Sequence, residues 1–412
     1  MKVFFSVGEP SGDLHTARLI QELKRLDPDL DTTGLGGPKM REAGCRLHYQ
    51  LTDLAIVGLF RVLPALGTFY RVFQLAKAAL KSERPDVVVL VDFPGFNWHI
   101  AAAAKALGIP VVYYLPPQLW AWAPWRIQKV RRTIDLVLCA LPFEFDWYQS
   151  RGVRAVFVGS PFFDDVAEHE HDPVVSTTLA RQAADGDRLI AVLPGSRRHE
   201  VLNNFPIQID VLRLLARDVP DTRFLIANLH EKHRALCAEL LAKEPPLPEG
   251  TRVDFFVGKT SEILSAGEVV LMKSGSVSLE VMARQKPAVV VYKITWALRI
   301  LRTMFVTCRY ITLPNLIAGR EVIPEYTPVH RGPGVAQALA NHLKTWLTQP
   351  IERARMVAEL RALHAATHVA GASRAAATEI VQLVAGARGM AVPTGARAIV
   401  DLPVPASNRS AA

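Results

Sequence analysis

The chain has 412 residues, more than one hydrophobic core usually holds, so two domains of roughly 150–200 residues each are expected. Half of the residues are hydrophobic and 21% are charged, an ordinary globular balance that excludes a fibrous or wholly disordered chain. The 48 Lys and Arg exceed the 39 Asp and Glu to give +9, which favours anionic partners (nucleic acid, phosphorylated substrates or an anionic membrane surface) without choosing among them.

In chain order, Lys2–Val7 reads as a short strand ending in the loop Gly8–Asp13, and Leu14–Leu26 has helical spacing. Val87–Val91 is a continuous apolar run suited to a strand buried on both faces. Ala101–Leu107 reads as helix, and Val111–Leu115, Leu136–Ala140 and Val156–Val158 as strands. Residues 167–188 lose the apolar pattern and read as a surface linker. The alternation restarts with strands at Leu189–Leu193, Phe224–Ala227, Val253–Val257, Val269–Met272 and Ala288–Val291, and helices through Val211–Leu215 and Arg234–Lys243. Ala336–Leu347 and Ile351–Ala385 are Ala-rich helical patterns, and the stretch from Gly386 reads as a disordered tail. Such alternation predicts an α/β protein of two doubly wound parallel-sheet domains facing a cleft. Their boundaries fall at 1–166 and 189–345, with a linker at 167–188, helices packing across both domains at 346–385 and a tail at 386–412.

Four dispersed cysteines, Cys45, Cys139, Cys237 and Cys308, offer no metal or redox spacing and fit a reducing, cytoplasmic compartment. The apolar run before Gly8 is too short for a signal peptide, and no uncharged stretch of about 18 apolar residues argues for a spanning helix. A membrane would be met from the side.

In open α/β sheets, ligands bind at loops on the carboxyl ends of strands. The first such loop is Gly8-Glu9-Pro10-Ser11-Gly12-Asp13, whose small residues let backbone approach a ligand; a tight turn capped by Ser11 or Asp13 is an equal alternative. After Val87–Val91 stands Asp92, a desolvated carboxylate suited to a general base, or else the Asx-turn that ends the strand. Leu193-Pro194-Gly195-Ser196-Arg197 makes a diphosphate cradle with a guanidinium fork. Ser274-Gly275-Ser276 opens a helix in which Glu280 suits ribose hydroxyls, and Asn315, Arg320, Glu321 and Glu325 form a polar cluster further on. The twelve histidines show no HExxH; His169 and His171 lie in the linker, where a solvated role is expected, and no metal is assigned. No GxGxxG, GxSxG or Walker lysine is present, so a nicotinamide or other cofactor has no support.

Three segments mix aromatic or aliphatic residues with basic ones: Ile56–Lys81, Trp120–Arg132 and Ile294–Ile311. They suit either a bilayer interface or core helices with snorkelling Arg stems, and three in one basic chain favour lipid. No nucleic-acid-binding module appears.

Taken together, GEPSGD, GLGGPKM (Gly34–Met40), VDFPGFN, WAW (Trp120–Trp122), LPFE (Leu141–Glu144), FVG (Phe157–Gly159), LPGSR, SGSVSLE and LPNLIAGRE occur in the order and at the spacing of the lipid-A-disaccharide synthase family, which the chain resembles from Gly8 to about Glu325. The resemblance implies a GT-B fold of two Rossmann-like domains, no metal and no cofactor. It implies inverting transfer of 2,3-diacylglucosamine from UDP to 2,3-diacylglucosamine 1-phosphate, giving a β-1,6 disaccharide. Asp92 is then the expected base for the acceptor 6-hydroxyl, with Glu9 and Asp13 as its catalytic companions and Ser11 and Gly12 beside them on the acceptor side. Arg197, Ser274, Gly275, Ser276, Glu280, Asn315, Arg320 and Glu325 are expected to hold the UDP-sugar. The implied partners are a UDP-acyl-sugar donor, an acylated sugar phosphate acceptor and the inner face of the cytoplasmic membrane, held peripherally; a homodimer is a candidate assembly and no nucleic acid is expected. Polar residues of the family pattern are replaced at Gly95, Pro116, Ser160 and Pro328, and a threonine by Ser276, which bears on the acceptor or acyl pattern more than on the fold. The rival readings are a GT-B paralogue acting on another lipid-linked or UDP-sugar, including a 2-epimerase, and a non-catalytic acyl-sugar-binding relative.

Overall fold

The computed structural model describes residues 1–55, 62–296, 298–300 and 308–389. Thirteen strands are present among them: β1 (Lys2–Val7), β2 (Asp31–Gly36), β3 (Arg46–Gln50), β4 (Val87–Val91), β5 (Val111–Tyr114), β6 (Leu136–Cys139), β7 (Ala155–Phe157), β8 (Arg188–Leu193), β9 (Thr222–Asn228), β10 (Arg252–Val257), β11 (Val269–Met272), β12 (Ala288–Val291) and β13 (Glu325–Tyr326). They form two sheets, ordered β3-β2-β1-β4-β5-β6-β7 and β10-β9-β8-β11-β12-β13, every pairing parallel. The β-branched runs explain the burial: all five residues of β4 and all four of β11 and of β12 are buried, as strands covered by helices on both faces must be.

The chain divides into two compact units. The first comprises Met1–Leu119 and Trp125–Pro161, and the chain returns to it from Gly371; the second comprises Trp120–Pro124 and Phe162–Ala370. The return is made by the helix Ala372–Ala387, which packs along the helix Pro10–Leu26. Its buried face, Ala376, Ala377, Ile380 and Val384, recurs at helical spacing, and the alanines let the two helices approach closely. The preceding helix, Pro350–Thr367, belongs to the second unit and packs on the helices Val277–Ala283 and Pro333–Thr348. Gly371, at φ 74°, makes the left-handed break that splits the single helical pattern expected over 351–385.

Several expectations change. The linker carries a regular helix, Pro173–Ala184, whose N-cap Asp172 accepts hydrogen bonds from the backbone N–H of Val174 and Val175; capping and an N-terminal proline supply what apolar spacing does not. β2 and β3 escape a search for apolar runs because β2 reads DTTGLG and β3 RLHYQ. The helix Pro10–Leu26 begins inside the loop expected over Gly8–Asp13. Residues 390–412, nearly all of the expected tail, lie outside the described residues, as do 56–61 of the first lipid-suited segment and 297 and 301–307 of the third.

The returning helix is open to a direct test. Ile380 is fully buried against the first unit's core, so Ile380→Ala should cost about 2–5 kcal/mol, read as a lowered midpoint in urea unfolding.

Candidate functional site

In each sheet the strand order reverses once, between β1 and β4 in the first unit and between β8 and β11 in the second. Connections leave opposite faces on either side of such a reversal and open a crevice at the strands' carboxyl ends. The four strands that flank these reversals, β1, β4, β8 and β11, each lead into a segment that carries predicted site residues, and Asn315 and Arg320 follow β12.

In the first unit, β4 ends on two successive non-glycine residues in the left-handed region, Asp92 at φ 50° and Phe93 at φ 43°. Each such residue costs about 1–3 kcal/mol and persists only where its surroundings over-determine it. Asn97, fully buried on the helix Pro94–Ala106, does so. Its Nδ2 lies 2.8 Å from the Asp92 carbonyl, 3.1 Å from that of Val91 and 3.2 Å from that of Ser6. Its Oδ1 accepts a 2.6 Å hydrogen bond from the Ser6 hydroxyl on β1. The Tyr113 hydroxyl, on β5, also donates to the Asp92 carbonyl at 2.6 Å. The backbone of the turn is thereby fixed on three sides.

The Asp92 carboxylate itself accepts no hydrogen bond among the described residues and is half-buried against Gly12. A Cβ at Gly12 would fall 2.3 Å from Asp92 Oδ2, so a larger residue there would displace the Asp92 carboxylate. Burial first, and then the negative charge of Glu9, push the Asp92 carboxyl up to about 7. Glu9, the N-cap of the first helix, and Ser11 are both exposed.

Asp13 is placed differently. It is buried, and its two oxygens accept the backbone N–H groups of Gly37 (3.0 Å), Lys39 (2.9 Å) and Met40 (3.1 Å), holding the start of the short helix Pro38–Glu42. A Cβ at Gly37 would meet Asp13 Oδ2 at 2.4 Å, which accounts for the glycine in GLGGPKM. Near the turn, Phe69 on the helix Val62–Glu83 packs on Phe93 and Phe96, with ring centroids 5.9 and 6.1 Å away. Further along the same pair of helices lies a cavity of about 340 Å³, lined by Phe73, His99, Ala102, Ala103, Ala106 and Leu107 and edged by Lys77 and Lys81.

In the second unit, the loop after β8 leads into the helix Arg198–Asp218, with Arg197 as N-cap. Glu200 is its buried centre: it accepts from the backbone N–H of Ser196 (3.0 Å) and Arg197 (3.3 Å), and Lys273, at the end of β11, approaches its Oε1 at 3.0 Å. These partners hold the Glu200 carboxyl below its ordinary range despite its burial. The Arg197 side chain is 71% exposed, so its guanidinium is open to a ligand while its backbone is fixed. Ser274 donates to the Ile311 carbonyl (2.8 Å), and Ser276 stands at the N-cap position of the helix Val277–Ala283 without a side-chain capping bond. Glu280 is buried and accepts from Ser261 (2.6 Å) and Arg284 (2.9 Å).

Asn315, fully buried on the short helix Leu313–Ala318, accepts from the backbone of Val322 and Ile323 and donates to the Ile323 carbonyl and to Glu325. Glu325 in turn accepts from Ile311 (2.8 Å) and Thr312 (3.0 Å). This network runs back through Ile311 to Ser274, so it joins the expected polar cluster to the Ser-Gly-Ser loop. Arg320 is elsewhere, paired with Glu359 on the helix Pro350–Thr367. Asn97, Tyr113, Glu200 and Lys273 are additions to the expected set. Glu200, three residues after Arg197, has the spacing of a capping box, and Asn97 stands in the motif VDFPGFN.

The family described as lipid-A-disaccharide synthetase matches residues 3–376. A lipid-A-disaccharide synthase of Anaeromyxobacter sp. strain K is 35% identical over 380 residues, 92% of this chain and 97% of the relative. Lipid-A-disaccharide synthase 1 of Legionella pneumophila strain Philadelphia 1 is 32% identical over 361 residues, 83% of this chain and 91% of the relative. Among solved structures, S. aureus MnaA bound to UDP superposes with a TM-score of 0.63 at 12% identity, covering 96% of this chain and 98% of its own. The UDP-GlcNAc 2-epimerase of Neisseria meningitidis bound to UDP-GlcNAc does so with 0.59 at 14% identity, covering 94% and 100%. These structural likenesses carry the fold, GT-B. The chain belongs to the lipid-A-disaccharide synthetase family and is a glycosyltransferase.

The raised Asp92 carboxyl has a thermodynamic signature. Between the unfolded value of 3.8 and about 7, the native state holds a proton that the unfolded chain has lost, so this group makes stability fall as pH rises through that window. Asp92→Asn removes the loss: its stability relative to the parent should improve from pH 4 to pH 7 in urea midpoints, and a pH-independent difference would refute the assignment.

Proposed function

We propose that the chain transfers 2,3-diacylglucosamine from UDP-2,3-diacylglucosamine to the 6-hydroxyl of 2,3-diacylglucosamine 1-phosphate with inversion, with Asp92 as general base. The observation that carries this reading is the Asp92 carboxylate: unpaired among the described residues, half-buried, titrating near neutrality and aimed by a strained, clamped turn at the sheet's switch point. A base of pKa near 7 is matched to removing a hydroxyl proton at physiological pH.

In the reaction the acceptor hydroxyl gives its proton to Asp92 as its oxygen bonds to the anomeric carbon. The bond from that carbon to the diphosphate breaks, and UDP leaves with its charge. Exposed Arg197 and the largely buried Lys273, both anchored on Glu200, suit that charge, as do the N–H groups at the start of the helix Arg198–Asp218. Glu280 suits the ribose hydroxyls. Glu9 and Ser11 suit the acceptor side, while Asp13, Asn315 and Glu325 act as positioning residues that hold the loops in shape.

The phenylalanines beside Asp92 and the Lys-edged cavity suit an acylated substrate with a phosphate. Leu66 (53% exposed) and Tyr70 (65%) on the helix Val62–Glu83, together with exposed Trp125, suit peripheral attachment to the inner face of the inner membrane. No helix of the described residues is long and apolar enough to span a bilayer.

Two substitutions test the chemistry. Asp92→Asn should lower kcat by about 10²–10⁴-fold, and in the parent enzyme kcat/KM should rise with pH through about 7. Undiminished disaccharide formation by Asp92→Asn, measured by mass spectrometry of products, refutes the base. Arg197→Ala should raise the donor KM roughly tenfold or more, the equivalent of one lost charge-assisted hydrogen bond, leaving the acceptor KM unchanged.

A further inference from the structure

Away from these loops, two histidines and a glutamate of the second unit converge. His169 and His171 follow the helix Pro161–Glu168, and Glu262 lies in the first turn of the helix Thr260–Ala266. One ligand atom from each of the three lies within 4.8 Å of the others. His169 Nε2 is 3.7 Å from Glu262 Oε1, close to the separation of about 3.3 Å between neighbouring ligands of a tetrahedral ion with bonds of about 2.0–2.1 Å.

The glutamate supplies an independent pointer. Its side chain is 3% exposed; Oε1 accepts the backbone N–H of Asp172 at 3.0 Å, whereas Oε2 is buried with no hydrogen-bond partner among the described residues. A buried carboxylate oxygen left unpaired is costly and asks for a cation. The sequence gives the two histidines a solvated role in a linker; folding brings them to the carboxylate of Glu262 instead.

The charges nearby leave room for one. Glu262, Asp172 and Glu280 face two cations, Lys259 and Arg284. Lys259 is paired with Asp172. Arg284 is held by Glu280 and by the Ser265 hydroxyl (2.7 Å), and touches His171 Nε2 only at 3.4 Å.

We propose that His169, His171 and Glu262 bind a divalent transition-metal ion of the zinc class, with water completing the coordination, and that the ion fastens the segment after Glu168 to the helix Thr260–Ala266. Two imidazoles and one carboxylate select such an ion over Mg²⁺ or Ca²⁺, which prefer oxygen. Through Arg284 the site neighbours Glu280, but none of the three ligands belongs to the proposed donor or acceptor residues.

The test is titration of the metal-free full-length protein with Zn²⁺, with Co²⁺ as spectroscopic probe. One equivalent should bind per chain, Co²⁺ should show tetrahedral d–d absorption, and saturating Zn²⁺ should raise Tm while Mg²⁺ does not. Affinity should fall at least tenfold in His171→Ala and in Glu262→Gln. It should be unchanged in the double variant His364→Ala, His368→Ala, which removes another close histidine pair (ring centroids 4.9 Å apart). Absence of binding, or binding that survives loss of both His169 and His171, overturns the proposal and leaves an adventitious ion only.

Discussion

The candidate chemistry depends on a backbone turn that the chain would not adopt unaided. Asp92 and Phe93 both sit in the left-handed region, at a combined cost of about 2–6 kcal/mol on the usual scale. Asn97 recovers part of that cost by satisfying carbonyls from β1, β4 and the turn itself with one buried amide. Tyr113 adds a hydroxyl from β5. Three adjacent strands thus converge around one turn, and the result is a carboxylate packed against Gly12, where a Cβ would displace it.

The acidic and amide residues of the candidate set divide cleanly by what they touch. Asp13, Glu200, Glu280 and Glu325 spend their oxygens on backbone N–H, hydroxyl or cationic side-chain donors, and Asn315 does the same with both ends of its amide. Such groups shape loops, and removing one leaves orphaned donors in the interior. The carboxylate of Asp92 has no such partner among the described residues, and burial together with the charge of Glu9 raises its pKa. A group kept desolvated and unpaired at a switch point is costly to hold, which is the usual mark of chemistry rather than of architecture.

Much of this was legible in the sequence, and the rest was hidden for physical reasons. The buried strands Val87–Val91, Val269–Met272 and Ala288–Val291 announce themselves because parallel strands covered on both faces need unbroken apolar runs. β2 and β3 do not, since the first depends on glycines and threonines and the second on a partly exposed face. The helix Pro173–Ala184 hides behind a polar composition. At the site, motif position finds Asp92 and Arg197. Spacing alone cannot show that Asp13 turns inward to a loop some 25 residues on, or that Lys273 and Arg197 share one glutamate.

The replacements relative to the family pattern can be weighed in the same terms. Gly95 is exposed on the first turn of the helix Pro94–Ala106, and a Cβ there would meet nothing within 4 Å. The fold therefore does not require glycine at that position. The negative charge beside Asp92 comes from Glu9. Ser160, by contrast, is 4% exposed at the end of the first unit's chain segment, where a larger side chain would overpack. The fold thus leaves position 95 free to vary, while position 160 is tied to packing.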